Sequence, residues 1–250
     1  MRIDLNCDMG ESFGPWKMGA DAEVMPNITS ANVACGAHAG DPGVMRRTIR
    51  AAKEHGVAVG AHPGFADLQG FGRREMQADP AEVEDSLIAQ IGALAAMARA
   101  EAAPLRHVKA HGALYNMAAR DRKLADAVAR AIKAFDASLV MFGLPKSPLI
   151  EAGIAAGLRV AAEGFADRSY EPDGSLTPRS RPGAVIHDAA VVVDRAVRMV
   201  RDGVVLTSEG REIPLKVDTI CVHGDTPGAP DLTRRIRAGL EAAGISVRSL

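Results

Sequence analysis

Seven short apolar runs alternate with amphipathic stretches along the chain, and six of the seven carry a carboxylate, an imidazole or an amine at or just beyond their ends. The runs span 2–8, 28–36, 57–63, 107–112, 139–144, 159–167 and 219–225. Between them apolar residues recur at helical spacing: Val83, Leu87, Ile91, Leu94 and Ala98; then Leu124, Val128, Ile132 and Phe135 behind Asp121. Two further helices read from Asp188 through Val193, Val197 and Val200, and from Leu232 through Ile236 and Leu240. Asp41 followed by Pro42 is an N-cap with proline at the first helical position. Strand–helix alternation implies parallel strands joined by right-handed crossovers. Seven such units without a linker or a shift in composition predict an α/β fold, one distorted (β/α) barrel of about seven parallel strands occupying 1–250 as a single catalytic domain. An open doubly wound sheet is the alternative. Residues 204–218 read as a hairpin, and the Pro-, Gly-, Ser- and Arg-rich stretch 168–187 reads as a long functional loop.

Composition narrows the partners. A net charge of -1 and 4% aromatic residues give no electrostatic or stacking basis for nucleic acid or an acidic membrane. No apolar run approaches the roughly 20 residues of a membrane helix, and the charged N-terminus has no signal-peptide core, so a cytoplasmic location is expected. Cys7, Cys35 and Cys221 are sparse and odd in number, which fits reduced thiols. All three are expected to pack away from the polar face. No Walker loop, G-x-G-x-x-G, H-E-x-x-H, G-x-S-x-G or C-x-x-C is present.

Parity identifies the polar face. Alternate strand residues point to opposite sides, so Asp4, Asn6 and Asp8 share one face and Ile3, Leu5 and Cys7 the other. Asn32 lies on the second strand, with His38 just beyond it. His62 ends the third. His107, Lys109 and His111 share a face of the fourth. Glu163 lies on the sixth, with Asp167 at its end, and His223 and Asp225 close the seventh. A barrel core normally takes branched apolar side chains, because an unpaired buried charge costs several kcal/mol. Polar ends on six strands therefore mark a site, at the end where β/α barrels carry their chemistry. His107 begins its strand, the wrong end for chemistry, and reads as structural. Asp4 reads equally as a site residue or a hydrogen-bonded structural group. His55 and His187 read as structural groups at helix ends.

The ordered motifs "DLNCDMGE", "NVACGAHAGD", "GAHPGF", "VKAHGALYN", "EGFADRSY", "LTPR" and "CVHGD" together resemble the LamB/YcsF family from Asp4 to about Asp225. Two departures stand out: Ala110 where the family usually has proline, and Gly64-Phe65 where it commonly has Ser-Tyr. The resemblance implies a barrel similar to that of polysaccharide deacetylases. It also implies ATP-dependent opening of 5-oxo-L-proline to L-glutamate, with ATP (and Mg2+) as cosubstrate and two partner subunits, B and C. On that reading Asp8 or Glu163 orients or deprotonates water. His62, His111 and His223 move protons or bind a metal, and Lys109 stabilises developing negative charge or binds phosphate. Asn6, Asn32, His38, Asp167, Arg168 and Arg179 are the substrate-binding candidates, the two arginines by bidentate contact with a carboxylate or phosphate. Whether Asp8, His38, His62 and His111 hold a metal stays open, because their spacing is not local. The rival readings are a metal-dependent, deacetylase-like amide or N-acetyl hydrolase and a non-catalytic subunit that binds a small acid.

Overall fold

The computed structural model describes residues 1–222 and 228–250. Its first half runs β1 (Arg2–Met9), α1 (Asp21–Val24), β2 (Ser30–Ala34), α2 (Pro42–Glu54), β3 (Ala58–His62), α3 (Pro80–Ala100) and β4 (Leu105–Val108). Then follow α4 (Gly112–Ala118), α5 (Arg122–Asp136), β5 (Val140–Gly143), α6 (Pro148–Ala155) and β6 (Arg159–Phe165). The last part holds α7 (Ala189–Arg201), β7 (Val204–Leu206), β8 (Glu212–Pro214), β9 (Thr219–Val222), α8 (Ala229–Ala242) and β10 (Ser246–Val247).

Seven parallel strands close on themselves in the order β1-β2-β3-β4-β5-β6-β9, with β9 pairing back to β1. The open-sheet alternative is thereby removed. The long interval between β6 and β9 holds α7 and the antiparallel β7–β8 hairpin, the element expected at 204–218. Asp41, Asp121 and Asp188 cap α2, α5 and α7, their carboxylates accepting the backbone N–H groups that a helix start leaves unpaired. Val83, Leu87, Ile91, Leu94 and Ala98 form the buried stripe of α3 against the barrel.

The fourth strand differs from expectation. It begins at Leu105 and ends at Val108, short of Lys109 and His111. Val59 pairs with Leu105 but Gly60 pairs with His107, so Arg106 is an extra residue in the ladder. Backbone hydrogen bonds nevertheless run on past the strand, from Lys109 N to Ala61 O (3.0 Å) and from His111 N to Pro63 O (2.8 Å). Alternation therefore survives, and both side chains still point inward.

The barrel interior is divided. On the β5–β6 side Val140, Phe142 and Ala161 form a small apolar cluster, with Leu250 packed against it. Elsewhere the interior is polar and internally paired. Asp4 accepts from Thr29 (2.7 Å), Ser30 (2.7 Å) and Thr219 (2.5 Å) hydroxyls. Burial pushes its carboxyl pKa upward against those three donors. Asn6 donates to Thr219 and accepts from Asn32, and Asn32 Oδ1 meets His107 Nε2 at 2.7 Å. His107 lies flat on Phe142, centroids 4.4 Å apart. A Cβ on Gly60 would stand 2.1 Å from His107 Nε2, so glycine there makes room for the ring. Partners for nearly every polar group are what let this interior avoid the desolvation cost of burial.

Candidate active site

Residues of β1, β6 and β9 converge on one ammonium group, that of Lys109 just past β4. Lys109 Nζ lies 2.8 Å from Asp8 Oδ1, 2.9 Å from Glu163 Oε1 and 3.1 Å from Cys221 Sγ. Burial alone would lower the lysine pKa; Asp8 foremost, with Cys221 and Glu163, holds it well above its usual value. Burial alone would likewise raise the Asp8 carboxyl; His62 and Lys109 outweigh it and hold Asp8 well below the usual carboxylate range. Lys109 and Asp8 are therefore both charged at neutral pH. Asp8 is 18% exposed, whereas Glu163 is fully buried, so Asp8 is the carboxylate that meets an incoming molecule. Tyr115 lies beside Glu163, its hydroxyl pushed well above its ordinary pKa by burial and by that carboxylate.

Beside this group stand three imidazoles. His62 Nδ1 meets Lys109 O at 2.8 Å, and its Nε2 lies 3.3 Å from Asp8 Oδ2 and 2.9 Å from His111 Nδ1. His111 Nε2 meets Phe71 O at 2.8 Å. His38 stacks on His111, centroids 3.7 Å apart and planes 2° from parallel. Glu11 Oε1 lies 3.7 Å from both His38 Nε2 and His111 Nδ1. Burial, then the neighbouring rings, lowers His38 well below its usual value and His111 to about 3, so both rings are neutral at pH 7. Glu11, His38, His62 and His111 each offer one ligand atom within 4.8 Å of one another, a candidate metal-binding group. Gly72, at φ +61°, lets the next loop lie against this cluster: a Cβ there would stand 2.8 Å from His38 Cβ.

The structure brings Asp8, His62, Lys109, His111 and Glu163 together with His38. Asn6 and Asn32 lie beneath them, fully buried and bonded to each other, a place suited to holding the array rather than gripping a ligand. Asp167 is buried at the end of β6. Arg168 turns its guanidinium to the carbonyls of Ala184 (3.1 Å) and Thr177 (2.7 Å), which ties down the stretch 168–187. Burial lowers its pKa to about 10, with the neighbouring Arg179 adding to the shift. Arg179 is exposed on that stretch. His223 and Asp225 lie outside the described residues. Cys7 and Cys35 are buried in the apolar core, but Cys221 departs from expectation. It shares the parity of His223 and turns its sulfur to Lys109. Glu11 and Tyr115 carry no strand parity, since both lie past strand ends; the acid three residues after Asp8, behind a glycine, was the available signal for Glu11.

A closed parallel barrel whose strand ends gather a buried ammonium, three carboxylates and three imidazoles defines a β/α-barrel protein with its candidate site at the strand C-termini. Within that class the chain belongs to the LamB/YcsF family, which it matches over residues 3–250. It is 58% identical to the 5-oxoprolinase A subunit of Symbiobacterium thermophilum, covering 98% of this chain and 94% of that one. It is 57% identical to the 5-oxoprolinase A subunit of Chloroflexus aggregans, covering 100% and 99%. Its fold superposes on the crystal structure of a lactam utilization protein from Thermus thermophilus with a TM-score of 0.96 and 50% identity, over the whole of both chains. A polysaccharide deacetylase from Bacillus cereus aligns at a TM-score of 0.48 and 11% identity, a distance at which no chemistry is carried across.

Proposed function

We propose that this chain is the lactam-handling subunit of an ATP-hydrolysing 5-oxoprolinase, turning 5-oxo-L-proline into L-glutamate together with partner subunits B and C. The reading rests on relatives of that name at 57–58% identity, and on the Asp8–Lys109–Glu163 array that meets solvent only through Asp8. A five-membered lactam is a resonance-stabilised amide with a poor amine leaving group, and its closure is favoured by effective molarity, so opening needs a driving reaction. ATP supplies it: the γ-phosphoryl group passes to the lactam oxygen, and water adds to the carbon so activated. The C–N bond then breaks as the ring nitrogen takes a proton, and a second water releases phosphate from the resulting acyl phosphate. Asp8, kept anionic beside His62 and Lys109, orients the attacking water. Lys109 stabilises the negative charge that grows on oxygen, and Glu163 fixes the ammonium from below. His62 and His111 either move the proton to nitrogen or hold a metal ion, and exposed Arg179 receives the substrate carboxylate or a phosphate. Three free, buried cysteines suit a reducing cytoplasm, and no described helix is long and apolar enough to cross a membrane.

The test is glutamate and phosphate release from 5-oxoproline and ATP, with this chain alone and with subunits B and C. Product from the full set, lost in Asp8→Asn and Lys109→Met, is expected; product equal in both variants and wild type removes the array from the mechanism. A second reading, an ATP-independent metal-dependent amide hydrolase, draws on the Glu11–His38–His62–His111 cluster. Amide cleavage without ATP, abolished by chelation, would favour it.

A further inference from the structure

We propose that Glu11, His38, His62 and His111 bind one borderline divalent transition-metal ion, of the Zn2+ class, in a closed site that pins the upper rim of the barrel. A carbonyl oxygen only accepts, so the contact of His62 Nδ1 with Lys109 O places that ring's proton on Nδ1. The contact of His111 Nε2 with Phe71 O places the other ring's proton on Nε2. In neutral rings His62 Nε2 and His111 Nδ1 then carry lone pairs, and the two atoms face each other at 2.9 Å. Two lone pairs at that distance repel, so a cation belongs between them.

A metal-bound histidine characteristically donates its other N–H to a backbone carbonyl or a carboxylate, which orients the ring and fixes its tautomer. Two of the three rings already do so. His38, 1% exposed, has neither ring nitrogen in a hydrogen bond, although Nε2 lies 3.7 Å from Glu11 Oε1. Glu11 also lies 3.7 Å from His111 Nδ1 and brings the anionic oxygen. Tetrahedral ligation with bonds of about 2.0–2.1 Å needs donors about 3.3 Å apart. The 2.9 and 3.7 Å separations bracket that value, and the widest pair in the group, at up to 4.8 Å, closes by at most about 1.5 Å to complete the geometry. Three imidazoles and one carboxylate favour zinc-like ions over magnesium, which prefers oxygen ligands and retained water.

Glu11 follows β1, His38 follows β2, His62 ends β3 and His111 follows β4. Four protein donors fill a tetrahedral shell, the pattern of a structural site rather than one with an open position. The ion would clasp four consecutive strand ends next to Asp8 and Lys109, with Asp8 Oδ2 3.3 Å from the ligating His62 nitrogen. None of this depends on which amide the enzyme opens.

The experiment is metal analysis and calorimetric Zn2+ titration of the purified full-length chain, followed by the visible spectrum of its Co2+ form. Binding of one ion per chain, with the intense bands of four-coordinate Co2+, is expected. His38→Ala and the near-isosteric Glu11→Gln should each weaken binding at least about 100-fold; Glu11→Gln keeps the test valid if the histidine variant fails to fold. Absence of binding at excess Zn2+ overturns the site and shows that a shared proton holds the histidine pair. Unchanged affinity in both variants overturns the ligand set. Weak six-coordinate Co2+ bands overturn the closed shell.

Discussion

Lys109 holds together carboxylates from two strands that would otherwise repel. Lys109→Met leaves Asp8 facing buried Glu163 without a cation, and the expected loss of stability is about 3–5 kcal/mol by urea unfolding. A loss below about 1 kcal/mol would mean that the pair simply neutralises. His107 makes a second test. Burial foremost, then Lys109, lowers its pKa to about 3 from 6.5, so the folded ring is neutral where the unfolded one takes a proton. Its contribution is complete above pH 6.5 and is lost as pH falls from 6.5 toward 3, by about 1.4 kcal/mol per pH unit for one proton. His107→Gln should flatten the stability profile by one proton in that window, while His111 keeps its own slope in both proteins. Equal slopes would show that the ring titrates normally in the fold. Parity made Asp8, Lys109 and Glu163 legible, because within a regular strand sequence position dictates direction. Glu11 was not legible, because beyond the strand end Gly10 at φ +68° sets the direction of the chain. Arg168 was readable as a cation but not as a clasp for its own loop, since its partners are backbone carbonyls that carry no sequence signal.

At the scale of elements, the β3–β4 ladder depends on a fit between a missing side chain and a ring. Gly60→Ala drives a methyl into His107, which cannot swing away because Asn32 and Phe142 hold it. The expected cost is about 1–3 kcal/mol. Combined with His107→Ala the two losses should fall short of their sum, since the second change removes what the methyl strikes. Strict additivity in chemical denaturation would mean that the strands part to admit the methyl. The alternating apolar runs and the aspartate caps made all seven barrel strands and the long helices readable. The boundary of β4 was not, because the extra residue at Arg106 answers to the ladder on β3 rather than to any local pattern.

For the whole molecule, closure is made between residues more than 200 positions apart. Thr219 donates to Asp4 and accepts from Asn6 across the β1–β9 seam. Thr219→Val strips two buried polar groups of a partner, with an expected cost of about 1–3 kcal/mol for each. The loss should appear in one cooperative transition rather than as local fraying, with fluorescence and circular dichroism coincident. Two separated transitions would show that the seam opens independently of the rest. The floor of the barrel has a different consequence. With Leu250 packed on Val140, Phe142 and Ala161, and with Asp4, Asn6 and Asn32 fully buried, the described residues fill the lower end of the barrel. The exposed edge of Asp8 lies at the other end, beside the segments after β1 to β4. A protein seated on that rim would stand in the path of both arrivals and departures, and an intermediate formed beneath it would pass into that protein's keeping.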